Sequence, residues 1–197
     1  LLEINNEKKL NFNYLRKNKA KIIFFPHWSY KVSEKILKNF HCINFHSAPL
    51  PYGRGGSPIQ NLIRKKIKKT TVCAIKMTNI FDAGPIYLKK KISLNGNLDE
   101  IFKRISKVIY VMILKLIKKN IKPKKQVGKV VNFKRLKNKD NQINNKVKFK
   151  DLYDMIRMVD HHEYDLTKIS FKNFTIGFKK ARKYKNKIIC EAEFKKK

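Results

Sequence analysis

"INFHSAPLPYGRGGSPIQNLI", residues 43–63, is unlike the sequence around it. Lysine, asparagine and isoleucine dominate the chain, yet these 21 residues hold three of its seven glycines and three of its six prolines. The stretch opens as a strand, "CINFH" (42–46), and breaks into a loop at Pro49, Pro51, Gly53, Gly55 and Gly56. Ser57-Pro58 then starts a helix with proline at its first turn, where the missing N–H costs nothing. Side chains alternate along a strand, so Asn44 and His46 share one side at the strand's C-terminal end. In open α/β sheets that end faces the binding crevice.

The same alternation of elements extends on both sides. "KIIFF" (21–25) is an apolar run stopped by Pro26, and Ser33 caps a short helix over 32–39. "TTVCAIKM" (70–77) reads as a third strand and "IYLKKKISL" (86–94) as a fourth extended stretch, separated by the turn-rich "NIFDAGP" (79–85). Asn97 and Glu100 form a capping box ahead of a long helix over 98–119, whose apolar residues recur at helical spacing from Ile101 to Leu116. This order predicts an α/β domain with a largely parallel sheet over residues 1–121. A basic, Asn-rich connection follows over 122–148, with one extended piece at 129–133. Residues 149–197 read as a small α+β module: a helix over 149–160, then three short strands.

The bulk numbers bound what such a chain does. It has 197 residues, 42% of them hydrophobic, which suffices for a real core. No apolar run reaches the 18 residues of a membrane span, and the polar start "LLEINNEKKLNFNYL" does not read as a signal peptide. Cys42, Cys73 and Cys190 are odd in number and widely spaced, which speaks against a disulfide framework or a CxxC zinc site; they read as small buried hydrophobes of a cytoplasmic protein. The formal charge is +34 and the pI about 10.2. The lysines are spread along the whole chain and accompany Asn and Ile, as codon bias produces. A polyanion-binding module would instead need a basic stripe with stacking aromatics on one face.

Asp82 joins the candidate site because it closes the strand at 70–77 in a tight glycine turn, and a carboxylate there can orient an imidazole. Tyr52, Gly53, Arg54 and Gly55 suit contact with a phosphate or sugar. His161 and His162, adjacent at a helix end, do not face one site and read as surface.

Taken in order, Asn44-Phe45-His46, "LPYGRGGSPIQ" (50–60) and Asp82-Ala83-Gly84-Pro85-Ile86 resemble the folate-dependent formyltransferases, over roughly residues 20–135. The resemblance implies a Rossmann-like domain, here lacking its first βαβ unit, with Asn44, His46 and Asp82 as the catalytic trio. It also implies 10-formyltetrahydrofolate as formyl donor, no metal, and a cytoplasmic enzyme that is a possible homodimer. The folate would lie between Phe25, Pro26, His27 and Trp28 on one side and Met77, Asn79 and Ile80 on the other. "FFPHWSYKVSEKI" (24–36), the 50–58 loop and "IRMVDHHEY" (156–164) look most like the nucleotide-sugar members. That makes a nucleotide-linked amino sugar the expected acceptor, with methionyl-tRNA as the alternative.

Overall fold

Two short strands, β1 (Ile22–Phe25) and β2 (His41–His46), begin the principal sheet and run parallel, with Phe25 opposite Asn44. The computed structural model describes residues 3–4 and 6–197. They divide into two units. One comprises the residues up to Arg54 with Thr71–Lys90 and Ser106–Val131; the other comprises Gly55–Thr70, Lys91–Ile105 and Asn132–Lys197.

In the first unit, helix α1 (Phe12–Lys17) precedes β1 and α2 (Glu34–Asn39) connects β1 to β2. Sequence reading left residues 1–20 without an element. The signal for α1 is its cap: Asn11 Oδ1 accepts from the Tyr14 N–H at 2.8 Å. Ser33 caps α2 in the same way. Leu15, Phe25, Val32, Ile36 and Cys42 form the core between these elements, each 3% exposed or less. Burial pushes the Cys42 thiol up to about 12, so it is a core group and not a nucleophile near neutral pH.

A short strand, β3 (Tyr52–Gly55), occupies part of what the glycines and prolines predict as loop. It is followed by α3 (Pro58–Arg64), β4 (Lys69–Lys76), β5 (Ile86–Ser93) and α4 (Leu98–Lys118). The principal sheet has the order β1-β2-β4-β5. Here the structure corrects the sequence: β4 runs antiparallel to β2, with Asn44 opposite Ile75 and His46 opposite Cys73. The sheet is mixed, and β1–β2 is its described parallel pair. Alternating strands and helices do not by themselves reveal direction, and here the connection from β2 to β4, which carries β3 and α3, brings β4 back antiparallel.

The cap of α4 is as predicted: Asn97 Oδ1 accepts from the Glu100 N–H and Glu100 Oε2 from the Asn97 N–H, both at 3.0 Å. After β6 (Val131–Phe133), the second unit contains α5 (Phe149–Arg157) and a three-stranded antiparallel sheet of β7 (Thr167–Ser170), β8 (Phe174–Lys183) and β9 (Ile188–Lys196). Within this unit Arg157 Nη1 donates to the carbonyls of Leu94 and Gly96 at 2.6 and 2.7 Å, and Lys66 pairs with Asp151 and Asp154. Among the described residues no helix is long and apolar enough to cross a membrane.

Candidate active site

Asn44, His46 and Asp82 converge within the first unit. His46 is 6% exposed. Its Nε2–H donates to the carbonyl oxygen of Gly53 at 2.7 Å, while its Nδ1 lies 3.4 Å from Asp82 Oδ1. The same carboxylate oxygen lies 3.5 Å from Asn44 Nδ2. Both ring nitrogens therefore face oxygens. The Asp82 side chain is 9% exposed. Asn44 Oδ1 is shut off from solvent and has no hydrogen-bond partner among the described residues.

Asp82 does not arrive by the route the sequence implied. An end shared with a parallel neighbour would have brought it to His46. Because β4 is antiparallel, the chain leaves β4 near Ile43 and must fold back. The loop does so in a tight turn, with Asp82 itself in the left-handed region at φ 54°. Gly84 then passes so close to β4 that a Cβ there would lie 1.7 Å from the Lys76 carbonyl oxygen. The family-like Asp-Ala-Gly spacing is thus a steric requirement of this turn.

The residues predicted to hold a folate are distributed unevenly. Met77, Asn79 and Ile80 line a narrow cleft together with Asn44, Asp82, Val32, Phe81 and Gly84. Ile80 and Phe81 are 69% and 62% exposed, a large apolar display beside a polar cluster. Phe25 and Trp28 belong to or pack on the adjoining core, their rings edge to face at 5.6 Å, and the Trp28 indole N–H has no partner among the described residues. Pro26 and His27 form the turn after β1, His27 at φ 57°.

Of the four residues predicted to meet an acceptor, Gly53 supplies the carbonyl that His46 bonds. Tyr52 is half-buried and Gly55 is exposed. Arg54 is held internally: its Nε and Nη2 donate to Gln126 Oε1 at 3.1 and 2.8 Å. Gln126 in turn donates from Nε2 to the carbonyls of Asp82 and Gly84 at 2.7 and 2.8 Å. Sequence reasoning missed Gln126, one of several uncharged polar residues in the basic 122–148 connection, and no local pattern there marks it. The His161 ring lies tilted against that of His162 at 4.2 Å and meets the Phe102 ring edge to face at 4.9 Å, within the second unit.

Comparisons with known proteins bear on this geometry. A solved methionyl-tRNA formyltransferase from Clostridium thermocellum superposes with a TM-score of 0.94 at 38% identity, over 98% of this chain and 86% of that one. The chain belongs to the folate-dependent formyltransferase family. Residues 138–195 match the family model described as the C-terminal domain of methionyl-tRNA formyltransferase. A methionyl-tRNA formyltransferase of Thermotoga maritima is 32% identical over 127 residues, which are 60% of this chain and 41% of that protein. The chain thus spans about two fifths of the length of the curated relatives it matches. A 4-N formyltransferase from Francisella tularensis shares the fold, with a TM-score of 0.64 at 18% identity, over 83% of this chain and 72% of that one.

A folate-derived formyl donor fits the residues present. Ile80 and Phe81 offer apolar surface that a flat heterocycle would cover, and Asn44 Oδ1 lacks a hydrogen-bond donor among the described residues. These groups lie on or beside the Asp82 loop, so a ligand seated there meets the polar cluster.

Proposed function

We propose that this chain transfers a formyl group from 10-formyltetrahydrofolate to a primary amine. The observation that carries the reading is the buried convergence of Asn44, His46 and Asp82 around one carboxylate oxygen. The donor would be held by Met77, Asn79, Ile80 and Phe81, and it supplies an activated formyl carbon.

The chain's own residues do the rest. Asn44 Nδ2 donates a hydrogen bond to the formyl oxygen as negative charge builds there, and a fixed donor of this kind is worth about 10²–10³ in rate. Asp82 takes the proton that the amine loses, directly or through one water, and gives it up to the donor's nitrogen as the bond from that nitrogen to the formyl carbon breaks. His46 sits between the Asp82 carboxylate and the Gly53 carbonyl. A direct hydrogen bond from His46 to the reacting oxygen requires its ring to exchange one of those two partners. In the resting geometry it acts as the group that holds Asp82 in place.

The acceptor we favour is the amino group of a charged methionyl-tRNA. The match of residues 138–195 supports it, as does the surface of β7–β9. Phe171 stacks on Phe174 at 4.6 Å, Phe194 is 70% exposed, and Lys179, Lys180, Arg182, Lys183, Lys185 and Lys187 follow along β8 and its turn. Exposed aromatics among cations are the elements of a nucleic-acid platform. The nucleotide-linked amino sugar remains the second reading, favoured by a C-terminal sheet of three strands where a closed barrel would suit tRNA. The two separate in one assay that offers both acceptors with 10-formyltetrahydrofolate and follows the formyl group by mass. A tRNA held by many phosphates loses about 10³-fold or more in affinity between 50 and 200 mM salt. Formylation of an amino sugar alone, with little salt dependence, would overturn the preferred acceptor.

A further inference from the structure

One carboxamide joins the two segments that hold the His46 ring. Gln126 Oε1 accepts from Nε and Nη2 of Arg54, and Gln126 Nε2 donates to the carbonyls of Asp82 and Gly84. A primary amide has two donor hydrogens and two acceptor lone pairs. All four are used here, at distances from 2.7 to 3.1 Å. The amide orientation is settled by its partners, since a reversed group would set its oxygen against two carbonyls and its N–H groups against a guanidinium.

The two segments are the ones that contact His46. Arg54 directly follows Gly53, whose carbonyl accepts from His46 Nε2. The Asp82–Gly84 turn carries the carboxylate that faces His46 Nδ1. In that turn Asp82 is a non-glycine residue at φ 54°, a conformation that its surroundings must enforce. The bonds from Gln126 reach the backbone on both sides of Ala83 and supply that enforcement.

We propose that Gln126 is the positioning residue of this site: it ties the Gly53–Arg54 segment to the Asp82–Gly84 turn and so sets both contacts of the His46 ring. Gln126 touches neither substrate nor donor; it acts through Asp82 and His46. The proposal rests on reading Asn44, His46 and Asp82 as the reacting cluster. Arg54 is then part of this clamp, and not a free cation waiting for a phosphate.

Three variants test it. Gln126→Leu removes all four bonds at similar volume. Gln126→Glu keeps the Arg54 pair and strengthens it, but aims a carboxylate oxygen at two carbonyls. Arg54→Leu removes only the Arg54 arm. The expected result is a fall in kcat of about 10- to 100-fold for both Gln126 variants with KM changed less than about threefold, the range seen when groups that orient a reacting residue are lost. Arg54→Leu should fall less than either. The second readout does not depend on turnover: the ring N–H resonances of His46, assigned by their loss in His46→Gln, are protected in the parent chain and exchange rapidly in Gln126→Leu and Gln126→Glu.

Retained kcat together with protected ring signals in either Gln126 variant that folds would overturn the proposal. So would a loss confined to KM, or an equal loss in all three variants in step with melting temperature. If the parent chain formylates no acceptor while the ring signals still vanish in the Gln126 variants, the positioning role stands and the reading of the reaction falls.

Discussion

Replacing Gly84 with alanine should disable the site through geometry alone. The added Cβ would start 1.7 Å from the Lys76 carbonyl oxygen and 2.9 Å from its carbon, against about 3.4 Å for an ordinary contact, so the gap must open by about 1.7 Å. The strand side cannot give. Lys76 lies in the ladder opposite Ile43 of β2, and the Met77 N–H donates to the Cys42 carbonyl at 2.9 Å. The turn must therefore move. A shift of that size breaks both bonds from Gln126 and carries Asp82 Oδ1 out of reach of His46 Nδ1. Two lost hydrogen bonds at about 1 kcal/mol each predict a destabilisation near 2 kcal/mol, or a melting point lower by about 4–8 °C in a chain of this size. Misplacing a reacting group by about 1 Å costs on the order of 10² in rate. Circular dichroism melting and single-turnover formyl transfer on the same preparation measure the two effects. Wild-type turnover in a Gly84→Ala chain whose fold is intact would refute the claim that this turn is sterically required.

His46→Ala should lower kcat by at least ~10², with the fold preserved by circular dichroism; unchanged turnover would remove His46 from the mechanism. Asn97→Ala removes the acceptor for the Glu100 N–H and should cost about 1 kcal/mol, read by urea denaturation, with little change in kcat. His41 supplies a pH test. Burial, aided by the charge of Lys76, lowers its pKa from 6.5, so the folded chain favours the neutral ring and loses stability as pH falls below 6.5. His41→Gln should flatten the melting temperature between pH 7 and 5; the ring is largely solvent-exposed, so the effect is small, and an unaltered slope would assign the acid sensitivity elsewhere.

Local chemistry explains what could be read directly from the sequence. Asn97 and Glu100 announce the start of α4 because a capping box uses residues three apart. The apolar spacing from Ile101 to Leu116 marks its buried stripe, and Asn44 and His46 fall on one side of β2 because side chains alternate. Asn-x-His and Asp-x-Gly were recognisable because each motif is contained in a few consecutive residues. Strand direction was not legible, since a strand has the same residue pattern whichever way its neighbour runs; the ladder between β2 and β4 decided it. The clamp at Gln126 was hidden for a related reason. Its partners lie 72 and 42–44 residues away, and an isolated glutamine among lysines has no periodicity to betray it. Only the folded chain, by bringing Arg54, Asp82 and Gly84 within 3.1 Å of one carboxamide, gives that residue something to hold.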